Sequence, residues 1–197
     1  FIGNYSSGKM GFALAEACAE AGAEVMLVAG PVSLKTNHSS IDRIDVESAE
    51  EMYRAVLSEY DRSDIAIMCA AVADYAPETV SDVKLKRTGE DRILRLRPNP
   101  DIAAELGRRK RPGQCLVGFA LETNDEEMNA RLKMEKKNLD FIVLNSLRDA
   151  GAGFQCDTNK VTVIGKQGKP VEIPCKPKIA VAADIVDIIG RYVSEDR

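Results

Sequence analysis

Gly8 and Gly11 flank Lys9-Met10 at the end of a short polar loop, Asn4-Tyr5-Ser6-Ser7, that runs straight into an Ala-rich apolar stretch from Phe12 to Ala21. Glycines at these places let backbone approach a ligand closely. A helix beginning behind them offers unpaired N–H groups at its positive end, which suits a phosphate or another anion. The other residues able to do chemistry are Asp74, just past an apolar run, the cations Lys84, Lys86 and Arg87, and the pair Lys133 and Lys137. Spaced by four, Lys133 and Lys137 share one helical face and can reach one ligand. There is one histidine, His38, and the five cysteines (18, 69, 115, 156, 175) are scattered without a CxxC, so a zinc site is not expected. Neither a Ser-His nor a Cys-His pair stands out. The chemistry these residues favour is therefore positioning and charge neutralisation rather than attack by an enzyme nucleophile.

Three near-motifs compete for the loop. Gly3-x4-Gly8-Lys9 resembles a P-loop, but Met10 occupies the place of the magnesium-binding hydroxyl. Tyr5-x3-Lys9 spells a reductase dyad, which requires both side chains on one helical face; in a glycine loop it is coincidental. Gly8-x-x-Gly11 is weak support for dinucleotide binding, and an NAD(P)-binding reductase stays open on that basis.

The elements that must position these residues alternate. Met10, Ala13, Leu14, Ala17, Cys18 and Ala21 recur at helical spacing, and Gly22 ends that helix. Glu24 to Gly30 is a short apolar run of buried-strand type, Ile41 to Val46 a second strand, and Ser48-Ala-Glu-Glu51 a capping box. That box opens a helix with Met52, Ala55, Val56 and Tyr60 inward. Asp64 to Ala71 is the next buried strand. Strand and helix alternating in this way predict a parallel α/β sheet. The alternation then lapses between Ala76 and Arg92, a span long enough to predict a lid or binding loop. Ile93 to Arg97 is predicted as a strand, Asn99-Pro100-Asp101 as a helix start with Asn99 as the cap, and Cys115 to Ala120 as a buried strand. A charged helix capped from Asn124 to Glu127 runs to Asn138, and Phe141 to Leu144 is a strand. Asn159 to Ile164 and Pro170 to Ile173, joined through Gly165-Lys-Gln-Gly168, predict an antiparallel hairpin, with a closing helix over Ile179 to Tyr192. Only Phe1 and Ile2 precede the glycine loop, so an N-terminal strand, or more, is expected ahead of it.

At 197 residues, with 29% charged residues and net charge −4, the chain reads as one globular domain and not as a general nucleic-acid binder. No apolar run reaches the roughly 18 residues of a membrane helix, and no signal peptide is visible. Cysteine usage predicts a reduced, cytoplasmic setting.

Ser-Ser-Gly-Lys-Met-Gly (6–11), Ala-Gly-Pro-Val-Ser-Leu (29–34), Ala-Ala-Val-Ala-Asp-Tyr (70–75), Lys-Leu-Lys-Arg (84–87), Asn-Pro-Asp-Ile (99–102), Gly-Phe-Ala-Leu-Glu-Thr (118–123) and Lys-Lys-Asn-Leu-Asp (136–140) occur in that order. Together they closely resemble bacterial phosphopantothenoylcysteine synthetase, the ligase half of the bifunctional coenzyme A biosynthesis flavoprotein. The likeness spans nearly the whole chain, residues 1–197. It implies a Rossmann-like three-layer parallel sheet, with a C-terminal antiparallel hairpin, about 153–175, used as a dimerisation arm. The implied reaction is CTP-dependent. The 4′-phosphopantothenate carboxylate attacks the CTP α-phosphate, giving an acyl-cytidylate, and cysteine then displaces CMP to form the amide. Magnesium is implied on the triphosphate, and a homodimer as the assembly. FMN belongs only to an upstream decarboxylase domain that these residues do not include.

Residue roles follow by position in the family's motifs. Ser6, Gly8 and Gly11 are the triphosphate cradle. Asn4 holds the acyl intermediate, and Asn4→Asp is expected to spare activation and stall amide formation. Ala70 and Ala71 offer backbone to the substrate, with Met68 and Cys69 beside them at the nucleotide. Asp74 serves ribose, pantothenate or the metal. Lys84 neutralises the reacting α-phosphate from a closing flap, assisted by Lys86 and Arg87; the family usually has lysine where Arg87 stands. Arg97, Pro98, Asn99 and Pro100 give a backbone edge near the base, Phe119 lies against it, and Lys133 and Lys137 contact the nucleotide. The family's arginine that helps hold the substrate phosphate would precede Phe1. An ATP-dependent ligase and a nucleotide-binding regulatory module without turnover remain as alternatives. His38, Met26, Met52 and the cysteines are read as structural.

Overall fold

The computed structural model describes residues 3–4, 6–87, 89, 91–122, 125–146 and 156–195. Helix α1 (Lys9–Glu20) starts behind Gly8, whose φ of 77° is left-handed, and ends just before Gly22 at φ 92°. Its apolar residues point inward, leaving Phe12, Ala13, Leu14, Ala15 and Ala19 buried. Strands β1 (Val25–Ala29) and β2 (Ile41–Asp45) pair in parallel, Val25 opposite Ile41. Helix α2 (Ala49–Tyr60) opens on the expected capping box: Glu51 N–H donates to Ser48 Oγ at 3.1 Å, and the Glu51 carboxylate accepts from Ser48 N–H at 3.3 Å.

Strand β3 (Ile65–Met68) is followed by a hairpin of two short antiparallel strands, β4 (Tyr75–Pro77) and β5 (Leu96–Pro98). The long span between β4 and β5 is exposed where described. The strand predicted over 93–97 thus narrows to 96–98, because only there does it find a partner for its backbone. Helix α3 (Ile102–Arg109) is capped by Asp101, whose Oδ1 accepts from Ala104 N–H at 3.1 Å, and not by Asn99. After β6 (Cys115–Glu122), α4 (Glu126–Lys136) begins at Asp125, which takes a left-handed φ of 45° and makes no side-chain cap bond. The expected cap is corrected to that extent; Asn124 lies outside the described residues. Then come β7 (Phe141–Ser146), β8 (Thr158–Gly165), β9 (Val171–Pro177) and α5 (Lys178–Glu195).

The central sheet runs β3-β6-β7-β8-β9, parallel through β3, β6 and β7 and antiparallel from β7 outward. The hairpin expected near the C-terminus is present and extends the core sheet, with Val161 and Val163 of β8 at 2% exposure; Gly153 to Gln155 lie outside the described residues. The sheet is mixed, not wholly parallel, and β1-β2 forms a separate ladder. Side chains alternate strictly between two cores. Cys115, Val117, Phe141, Val143, Val161 and Val163 pack under α1 and α5 on one face, and Leu116, Ala120, Ile142, Leu144 and Ile164 under α2, α3 and α4 on the other. The three-layer α/β reading stands, since strands covered on both faces must be apolar at every position.

The amino ends of β6 and β7 are pinned by Asp140. Its carboxylate accepts from Leu116 N–H at 2.7 Å and from the Lys110 and Lys166 ammoniums at 2.8 and 2.9 Å. Burial would raise this carboxyl, but the Lys110, Leu116 and Lys166 contacts outweigh it and hold the pKa below the usual range.

Candidate functional site at the carboxyl ends of the strands

The parallel strands place their carboxyl ends together, and there Asn4, Ala71, Asn99 and the segment of Asp74 are joined by hydrogen bonds. Gly8 is held in its left-handed conformation with a Cβ position only 3.1 Å from Val32, so the loop after β1 lies directly on the glycine turn. A Cβ at Gly11 would meet nothing within 4 Å, leaving this face of the helix start open for a ligand. The first helical bond is Phe12 N–H to Gly8 C=O at 3.0 Å, and Gly8 provides no side-chain cap. The N–H groups of Lys9, Met10 and Gly11 thus precede the hydrogen-bonded turn, as an anion cradle requires. Ser6 stands half-buried beside them, its Oγ 3.5 Å from Gly8 N.

Asn4 ties this loop to β3. Its Nδ2 donates to the Ala71 carbonyl at 2.9 Å and approaches that of Val72 at 3.5 Å. Met68 lies opposite Gly118 in the sheet, so the Met68 to Ala71 exit adjoins Phe119 on β6. Asn99 performs a second clasp. Its Nδ2 donates to the Ala73 carbonyl at 2.7 Å and its N–H to the Asp74 carbonyl at 2.8 Å, fixing the segment that carries Asp74. Asn99, excluded as a helix cap, is thereby a positioning residue, and Pro100 stays half-buried behind it.

Lys133 lies in the last turn of α4 and Lys137 just past its end as the C-cap, and each is engaged separately. Lys133 donates to the Phe119 carbonyl at 3.3 Å, and Lys137 pairs with Asp101 at 2.8 Å. Burial would raise the Asp101 carboxyl, yet the Lys137 and Ala104 hydrogen bonds prevail and keep it low. Phe119 is half-buried and packs into the α1–α5 core with Met10, so its ring is in part a packing group. Arg97, Pro98 and Asp74 are exposed. Lys84, Lys86 and Arg87 lie on the exposed span between β4 and β5, and among the described residues Lys84 makes no ion pair. Cys69 is half-buried and its thiol is pushed up to about 12 by burial, against an opposing pull from Lys178, so it keeps its proton at neutral pH.

One polar residue at this edge was not singled out in the sequence. Asn145, near the carboxyl end of β7 and opposite Leu121, has a buried Oδ1 with no hydrogen-bond partner among the described residues. A buried unpaired acceptor at this edge is suited to a ligand's donor. The available signal was an amide closing the otherwise apolar run Phe141-Ile-Val-Leu. For a metal, the described residues contain no group of three or more His, Cys, Asp or Glu. The single carboxylate of Asp74 fits a magnesium ion that keeps most of its ligands from phosphates and water.

Comparison with known proteins bears on this geometry. The family described as "DNA/pantothenate metabolism flavoprotein C-terminal domain" matches residues 1–192. A cysteine/cysteine sulfinic acid decarboxylase of an unknown prokaryotic organism is 54% identical over 186 residues, 94% of this chain and 52% of that protein. The coenzyme A biosynthesis bifunctional protein CoaBC of Bacillus subtilis (strain 168) is 49% identical over 190 residues, 96% of this chain and 47% of that protein. The chain thus spans about half the length of the curated relatives it matches. The crystal structure of the C-terminal domain of the bifunctional protein CoaBC superposes with a TM-score of 0.80 at 37% identity, covering 96% of this chain and 85% of that one.

Proposed function

Because the chain belongs to the family of DNA/pantothenate metabolism flavoprotein C-terminal domains, we propose that it is the phosphopantothenate–cysteine ligase of coenzyme A biosynthesis, using CTP. A carboxylate oxygen of 4′-phosphopantothenate forms a bond to the CTP α-phosphorus while the bond to the β-phosphate oxygen breaks, releasing pyrophosphate. The cysteine amine then attacks the acyl carbonyl of the cytidylate, CMP leaves with the bonding pair, and the amine gives up its proton as the amide forms. No group of the protein becomes covalently attached, which accords with a site of amides, glycines and lysines.

The roles divide along the geometry. The open N–H groups behind Gly8, with Ser6 and Gly11, hold the triphosphate. Lys84 closes over the reacting phosphate on the span between β4 and β5, with Lys86 and Arg87 adding positive charge. Met68, Cys69 and Ala70 contribute backbone at the nucleotide, Ala70 and Ala71 at the pantothenate. Phe119, Lys133, Lys137 and the edge from Arg97 to Pro100 flank the base, and Asn145 offers an acceptor. Asp74 would hold the magnesium that, when bound, offsets triphosphate charge. In the natural protein this unit is proposed to be cytoplasmic, dimeric and joined to a flavin decarboxylase domain.

The observation that carries the reading is the Asn4–Ala71 hydrogen bond, which sets the anion-binding loop against the strand end where the pantothenate would lie. Its test is pyrophosphate release from the full-length protein given CTP and 4′-phosphopantothenate, followed by CMP and amide on adding cysteine. ATP in place of CTP decides the nucleotide. NADPH bound in preference to either nucleotide, with no pyrophosphate formed, would sink it in favour of a reductase.

A further inference from the structure

Lys9 is an unusual residue for its position. It is the first residue of α1, where the helix dipole is positive, and α1 has no acid in its first turn. A second ammonium, Lys178, is buried at 6% exposure close enough to repel it: burial and then Lys9 push the Lys178 pKa down. Lys178 begins α5, which likewise has no acid in its first turn. Its N–H donates to the Asp157 carbonyl at 2.9 Å and its ammonium to the carbonyl of Cys156, so the Cys156–Asp157 corner is clipped to the helix start. From that fixed corner the Asp157 carboxylate reaches Lys9 Nζ at 2.5 Å. The pair is lopsided in its surroundings. Asp157 is 87% exposed and Lys9 38%, so Asp157 sits on the solvent side of a cation that borders the glycine turn.

We propose that Lys9 is a phosphate ligand of the nucleotide and that Asp157 is the counter-ion that the arriving triphosphate displaces. This deepens the ligase reading and rests on it for the identity of the polyphosphate. A triphosphate in the loop brings more negative charge to Lys9 than one exposed carboxylate, and the exchange lets Asp157 return to water without a buried charge being left alone. Asp157 then acts as a competitor that keeps the loop from holding stray monoanions, and Lys178 fixes the distance over which it competes.

The test is calorimetric titration of the full-length protein, and of its Lys9→Gln, Asp157→Asn and doubly substituted variants, with magnesium-CTP and separately with tripolyphosphate. Loss of a charge-assisted hydrogen bond predicts binding about tenfold weaker or more in Lys9→Gln. Asp157→Asn is expected to bind both probes as tightly as the parent or several-fold more tightly, and to have no effect once Lys9 is gone. Weaker binding in Asp157→Asn, an unaltered affinity in Lys9→Gln, or no binding of either probe by the parent overturns the proposal. If the pattern holds for tripolyphosphate while CTP binds no better than tripolyphosphate, the exchange stands and the nucleotide ligase reading falls. Thermal unfolding of each variant verifies folding; Asp157 is exposed enough that its substitution leaves the core untouched.

Discussion

The side-chain amide of Asn4 donates to the main-chain carbonyl of Ala71 at 2.9 Å, across 67 residues of sequence. This bond makes the glycine turn and the exit of β3 one rigid wall. It also directs the Asn4 donor at backbone, so contact with an acyl intermediate requires that the amide share or exchange this bond.

Asn4→Asp replaces that donor with a carboxylate facing two carbonyl oxygens, at 2.9 and 3.5 Å. The expected outcome is amide formation stalled more severely than cytidylyl activation, read as CTP-dependent pyrophosphate release without amide in a rapid-quench experiment. Asn4→Ala, which removes the tether without adding charge, should depress both half-reactions together.

Gly8→Ala forces a side chain into a left-handed φ of 77° and against Val32 at 3.1 Å. The conformational strain alone is about 1–2 kcal/mol. Chemical denaturation should show at least that loss, and magnesium-CTP affinity should fall with it as the turn opens.

Gly107→Ala tests how α3 and α4 hold the lysine edge of the site. A Cβ there would stand 1.9 Å from the Lys137 carbonyl oxygen, a backbone atom that cannot rotate away, and Asn138 Nδ2 donates to the Gly107 carbonyl at 2.9 Å. Overpacking of this kind costs roughly 1–3 kcal/mol or more. The expected result is a lowered unfolding midpoint together with weaker nucleotide binding, since Lys137 moves off Asp101.

Asp140→Asn removes the negative charge shared by Lys110, Lys166 and Leu116 N–H and one of its two acceptor oxygens. Leaving the largely buried Lys110 ammonium uncompensated is expected to cost about 3–5 kcal/mol at neutral pH. Because the folded-state pKa of Asp140 is lowered, its stabilisation is complete above the unfolded value of about 4 and is lost as pH falls through the folded value. The stability gap between parent and variant, measured by urea titration, should therefore be widest near pH 7 and close as the medium is acidified below about pH 4.

The elements whose signals are local were legible in the chain itself. Gly8 before an apolar helix, the Ser48–Glu51 box and the continuous apolar strands each announce themselves within a turn or two, because hydrogen bonds and side-chain periodicity there involve near neighbours. The open helix start behind Gly8 was legible for the same reason. The cap of α3 was misread since Asn99, though a good cap by type, is drawn into the β4–β5 base by Ala73 and Asp74, leaving Asp101 to cap. The hairpin of β8 and β9 was recognised as a hairpin, but only the pairing of Phe141 with Gly165 through Asn145 with Val161 makes it part of the central sheet.

By itself the sequence determined the alternation of elements, the family, and which residue types stand ready for phosphate chemistry, all properties written in short-range pattern and motif order. Tertiary structure alone decided that Asn4 meets Ala71, that Lys137 is paired with Asp101 and Lys9 with Asp157, and that Asn145 has a buried acceptor without a partner among the described residues. Those contacts join segments far apart in the chain, and their partners are chosen by how helices and strands pack, which no local spacing encodes.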